Sequence, residues 1–123
     1  MIQKIDHVVI TARDVAATLA FYQRLGFEVR EGGGRQELYA GDFKINVHTL
    51  GRELSPHARQ VQPGSADLCF EITGGIAALQ QRLESDGVPV ELGVVSRTGV
   101  RGSMRSLYLR DPDGNLLEFC SYE

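Results

Sequence analysis

Only two cysteines occur among 123 residues. A disulfide framework is therefore not what holds this chain together, and its length allows a core to be buried without one. Cys69 and Cys120 fall in apolar stretches and read as two buried, structural thiols of a reducing compartment. Long hydrophobic runs are also missing, and none approaches the ~20 residues of a bilayer span. Lys4 and Asp6 break up the N-terminus and no signal-peptide core follows, so a cytoplasmic protein with no membrane partner is expected. Basic excess is absent as well: 13 Lys and Arg stand against 16 Asp and Glu, a net charge of −3. That balance argues against a nucleic-acid partner. The apolar fraction, 42%, is that of an ordinary globular chain, and the length fits one domain.

What the sequence does contain is a repetition. Residues 7–29 read HVVITARDVAATLAFYQRLGFEV and residues 67–90 read DLCFEITGGIAALQQRLESDGVPV. Each passes from an alternating apolar strand through a short turn and an amphipathic helix to a glycine and another strand. Val15 falls on Ile76, Gly26 on Gly87, Val29 on Val90, and the strand starts place His7 on Asp67. Such repetition marks one supersecondary unit duplicated.

Period-two alternation predicts a strand over 2–11, with His7, Val9 and Thr11 on one face. Asp14 is placed to cap a helix carrying Val15, Leu19, Tyr22 and Leu25 at helical spacing, and Gly26 to close it. Short strands are predicted over 27–30, 36–40 and 43–49. Residues 50–65 (LGRELSPHARQVQPGS) show no period and read as a linker long enough to cover a site. The second copy is predicted to have a strand over 66–73 and a helix over 76–85 ended by Gly87. An edge strand over 88–95 follows, then a basic loop over 96–102 and strands over 103–110 and 115–121, with Asp111-Pro-Asp-Gly114 as a tight turn between the last two.

Four residues interrupt otherwise apolar strands: His7, His48, Asp67 and Glu118. Any one alone reads as an ordinary hydrogen-bonded or solvated side chain. Together they weigh more, because the repeat puts His7 and Asp67 at equivalent positions. The counterpart of Glu118 in the first copy is near Asn46, with His48 two residues on, on the same strand face. Mixed imidazole and carboxylate ligands suit divalent Mn, Fe, Co, Ni or Zn. Tyr108, across the tight turn from Glu118, is a core aromatic with a wet tip or a donor to a developing oxyanion. Arg101 and Arg105 read as solvated charges that could attract an anion, and His57 as an exposed linker residue.

The duplication, IDHVVIT with its histidine, FYQRLGFEV after the first helix and YLRDPDGNLLEF near the end resemble the vicinal oxygen chelate superfamily. That family includes glyoxalase I, extradiol dioxygenases, fosfomycin-resistance transferases, methylmalonyl-CoA epimerase and bleomycin-binding proteins. The segment KINVHTLGRELSPHARQVQPGSADLCF is similar to the small glyoxalase-domain proteins grouped with glyoxalase domain-containing protein 5. The resemblance implies an α+β fold of two tandem βαβββ modules whose curved mixed sheets surround a central cavity. Module 1 would run over about 1–50, the linker over 51–65 and module 2 over about 66–123. A divalent metal would be held by His7, His48, Asp67 and Glu118, with Glu118 and Tyr108 serving catalysis on a small-molecule substrate. A homodimer is also implied. Two departures stand out: Asp67 occupies a position usually held by His, and Asn46 or His48 one often held by Glu. The activity expected from the resemblance is glyoxalase-like lyase or isomerase chemistry on a 2-oxoaldehyde thiol adduct. The alternatives are ring cleavage by an extradiol-type dioxygenase and a non-catalytic antibiotic-binding protein.

Overall fold

The computed structural model describes all 123 residues. The order of elements is β1 (His7–Ala12), α1 (Val15–Arg24), β2 (Glu28–Gly32), β3 (Arg35–Ala40), β4 (Phe43–Thr49), β5 (Asp67–Glu71), α2 (Ile76–Ser85), β6 (Leu92–Gly99), β7 (Gly102–Arg110) and β8 (Leu116–Ser121). This is βαβββ twice over, an α+β chain. Two four-stranded mixed sheets result, ordered β1-β4-β3-β2 and β5-β8-β7-β6, with β1–β4 and β5–β8 parallel. No helix is long and apolar enough to cross a membrane. The chain forms two compact units, residues 1–65 with 111–114, and residues 66–110 with 115–123.

In the first unit, Asp14 caps α1 as its position predicts, its carboxylate accepting from the Ala17 amide at 3.1 Å. Gly26 turns the chain with φ +105°, a conformation open to glycine at no steric cost. The helix buries Thr18 and Tyr22 against the sheet face that carries Ile10, Ala12, Leu38, Ile45 and Val47. The Asp111–Gly114 turn belongs to this unit. It closes with a Gly114 amide to Asp111 carbonyl bond of 3.0 Å. Its carboxylates grip the start of α1: Asp111 accepts from the Tyr22 hydroxyl at 2.7 Å, and Asp113 from the Arg13 amide at 3.1 Å. Gly64 passes over the same turn with φ +80°, and a Cβ there would run into the Asp113 carbonyl. Gly64→Ala should therefore cost about 2 kcal/mol through clash and backbone strain, read as a lower urea midpoint at unchanged slope.

The second unit repeats the scheme. Asn115, 1% exposed, accepts from the Ala66 amide at 2.8 Å and so fixes where β5 begins beside β8. The α2 helix buries Ile76 and Leu83, and its first amide donates to Glu123 at 3.1 Å. Buried Leu107, Leu109, Leu117 and Phe119 complete the core of this unit.

The boundaries move most in two places. β1 begins at His7 rather than at residue 2, because its parallel partner β4 begins at Phe43 and earlier residues have no ladder to join. Ile2 and Ile5 are exposed. β6 lies four residues later than predicted and takes in most of the expected basic loop. Residues 96–98 are exposed, so pairing with β7 leaves no apolar alternation to read.

Candidate functional site

The register of each unit defines its open sheet face. In the second unit one row runs Leu92, Tyr108, Glu118, Cys69 across β6, β7, β8 and β5. Glu118 is half-buried in the middle of it. Its Oε2 accepts from the Ser106 hydroxyl, a fully buried side chain, at 2.7 Å. Tyr108 stands directly opposite Glu118 on β7, and its hydroxyl oxygen accepts from Arg97 Nε at 2.9 Å. Desolvation, with the neighbouring Glu118 carboxylate, raises the Tyr108 pKa, while Arg97 pulls it down. The phenol is therefore protonated at neutral pH and can donate.

Asp67 is exposed at the start of β5, in the row of Leu116 and Arg110. Cys69 and Cys120 are both free. They stand two residues out of register on adjacent parallel strands, roughly 8 Å apart at Cα from the strand spacing and rise. That exceeds the reach of a disulfide. Desolvation raises both thiol pKa values. The expected burial holds for Cys120 alone; Cys69 is exposed, because β5 is the edge strand of its sheet whereas β8, which carries Cys120 on the same face, lies inside it.

In the first unit the corresponding row runs Val9, Asn46, Glu37, Arg30 across β1, β4, β3 and β2. The counterpart of Glu118 is thus Asn46, as the repeat indicates. His7 stands one row below, beside Lys44. It is exposed, and its Nδ1 meets Asp6 at 2.8 Å, leaving Nε2 open. His48 stands one row above Asn46, beside Thr11, and is 7% exposed. Burial lowers its pKa, Arg35 and His57 add to the effect, and Glu53 opposes it. The linker residues Glu53 and His57 therefore lie within electrostatic reach of it.

His7 and His48 are four register steps apart, about 13 Å along the strands. Two nitrogens on one ion lie within about 4 Å of each other. The sheet sets Asn46 between the two rings rather than pairing them. Imidazole and carboxylate donors suit a divalent metal in kind, and a carboxylate on His7 Nδ1 is a common second partner of a ligating histidine. Their placement does not match: no group of three or more His, Cys, Asp and Glu is arranged to hold an ion.

Sequence reasoning missed Ser106 and Arg97. Ser106 was legible in principle, since it shares the face of Tyr108 by period two. Arg97 was hidden by the misplacement of β6.

Residues 4–119 match the family model of the glyoxalase/bleomycin resistance protein/dioxygenase superfamily. The chain is 47% identical over 123 residues to the glyoxalase domain-containing protein RDO1 of Mycosarcoma maydis, covering 99% of this chain and 70% of that protein. It is also similar to the virulence protein STM3117 of Salmonella typhimurium. That protein's crystal structure matches with a TM-score of 0.98, with 40% identity over 100% of this chain and 99% of that one. A lactoylglutathione lyase from Agrobacterium tumefaciens shares the fold at a TM-score of 0.77 and 22% identity, over 99% of this chain and 96% of that one.

Proposed function

Because the chain belongs to the glyoxalase/bleomycin resistance protein/dioxygenase superfamily, we propose that it is a glyoxalase-like lyase or isomerase of a small, oxygen-rich substrate such as a 2-oxoaldehyde thiol adduct. The observation that carries this reading is the Glu118–Tyr108 pair, set side by side on one open sheet face. Glu118 is the base. It takes a proton from the carbon bearing the sulfur and hydroxyl groups, leaving an enediolate, and returns it to the neighbouring carbonyl carbon; the hydroxyl proton of the first carbon passes to the oxygen of the second, so the second carbon becomes an alcohol and the first a thioester. The Ser106 bond fixes one carboxylate oxygen. Tyr108 donates to the oxygen on which negative charge develops, and Arg97 holds the phenol in place.

The family resemblance brings with it a divalent metal and a homodimer. The homodimer belongs to the reading; the metal does not, because its expected ligands His7 and His48 are held apart along β1 and β4. The test is turnover. Loss of a methylglyoxal–thiol adduct should be observed, with no oxygen uptake on catechols. Oxygen uptake without adduct loss would favour the dioxygenase instead, and neither activity would favour a binding protein. Tyr108→Phe should lower kcat by roughly 10²–10³-fold with little change in KM, the effect of losing one donor to the transition state. An unchanged kcat would remove the phenol from the mechanism.

A further inference from the structure

The second unit holds a cleft of about 530 Å³ that proton transfer leaves unused. Gln80 and Glu84 of α2 line one side, one helical turn apart and so on one helix face. The chain that leaves the helix lines the other side, with Val88, Pro89 and Val90 as its apolar surface. This segment is fixed before any ligand arrives. The Val88 amide donates to the Leu83 carbonyl at 2.9 Å, and the Glu91 amide to the Tyr108 carbonyl at 2.8 Å. Between them Pro89 has a locked φ. At Gly93, which also borders the cleft, a Cβ would come within 2.9 Å of the Leu107 Cβ, so glycine lets the segment close on β7. The volume lies in the range of small-molecule sites, and the lining has their composition: apolar walls with a few polar groups.

The charge of the lining selects the ligand. It includes two carboxylates, Glu84 and Glu91, and no Lys, Arg or His. Arg110 meets both oxygens of Glu91, at 3.0 and 3.1 Å, so that charge is answered. Glu84 forms no ion pair and leaves one negative charge over. The carbonyl end of α2, which closes at Asp86, adds partial negative charge beside it. An anion is therefore repelled. A divalent metal ion finds one free carboxylate where it needs several oxygen ligands. An ammonium group fits: its N–H donors suit the Glu84 carboxylate and the Gln80 side-chain oxygen. The cleft is much larger than that group alone, and Val88, Pro89 and Val90 offer the remainder an apolar surface. We propose that this cleft binds a small primary amine with a ring-sized apolar body, its ammonium on Glu84 and Gln80. The cleft contains none of Glu118, Tyr108, Ser106 and Arg97, so this site and the proton-transfer reading can fail separately.

The probe is 2-phenylethylamine. Its controls are 2-phenylethanol, which has a hydroxyl in place of the ammonium, and ethylamine, which lacks the ring. Titration of the full chain by calorimetry should give saturable binding of the probe with Kd at or below about 1 mM. Each control should bind at least about tenfold more weakly. Glu84→Gln should bring the amine down to the level of the alcohol, and because Glu84 is exposed the melting temperature should stay that of the parent. The unaltered protein gives a second readout that needs no variant: the Gln80 side-chain amide and the Val88 and Val90 methyl resonances should move on adding the amine. No saturable binding of the amine, equal binding of amine and alcohol, undiminished binding by Glu84→Gln, or shifts confined to residues outside the cleft would each overturn the proposal.

Discussion

Glu118→Gln should lower kcat for adduct isomerisation by 10²–10⁴-fold, the range by which a positioned proton-transfer group accelerates a reaction. Glutamine has the same size and still presents a carbonyl oxygen to the Ser106 hydroxyl that now meets Oε2 at 2.7 Å. The row of Tyr108 and Cys69 on either side would be unaltered. What disappears is the basic carboxylate. Stability should therefore hold to within about 1 kcal/mol, because one charge-assisted bond becomes a neutral one. Stopped-assay kinetics with a thermal melt on the same sample separates the two effects. A variant within tenfold of the parent kcat would show that another group moves the proton.

The largest loss of stability is expected on Asp111→Ala. Asp111 is 5% exposed and Tyr22 fully buried. Their 2.7 Å bond joins a phenol to a carboxylate inside the first unit. The same carboxylate accepts from the Asp113 amide at 2.9 Å. Removing it strands a buried hydroxyl and undoes the turn that also holds the Arg13 amide. A cost of about 3 kcal/mol follows, from one charged hydrogen bond and the desolvated partner it leaves behind. For a chain of this size that lowers Tm by roughly 10 °C. Asp111→Asn, which keeps an acceptor, should lose much less. Equal melting temperatures for Asp111→Ala and the parent would mean that the turn contributes nothing to α1.

Much of the architecture was legible because it is written in periods. Both helices, β4 and the Asp14 cap stand where spacing put them, and the repeat correctly aligned Asn46 with Glu118. Pairing-dependent features were not legible. The start of β1 depends on where β4 starts, and β6 is held by β7 rather than by its own apolar pattern. The site divides the same way. Glu118 and Tyr108 facing each other follows from a hairpin across a tight turn. The Ser106 bond and the Arg97 bond are side-chain geometry that no linear spacing encodes.

The Asp-Pro-Asp-Gly turn has one more implication. It is translated late, after nearly all of the chain, yet it supplies the acceptors for a helix made near the beginning. A gene cut after Ser65 would thus encode a polypeptide whose Tyr22 has no native acceptor to find. A recombinant that exchanged the later half for a foreign one would need to bring its own equivalent of these four residues, or the earlier half would lose its latch.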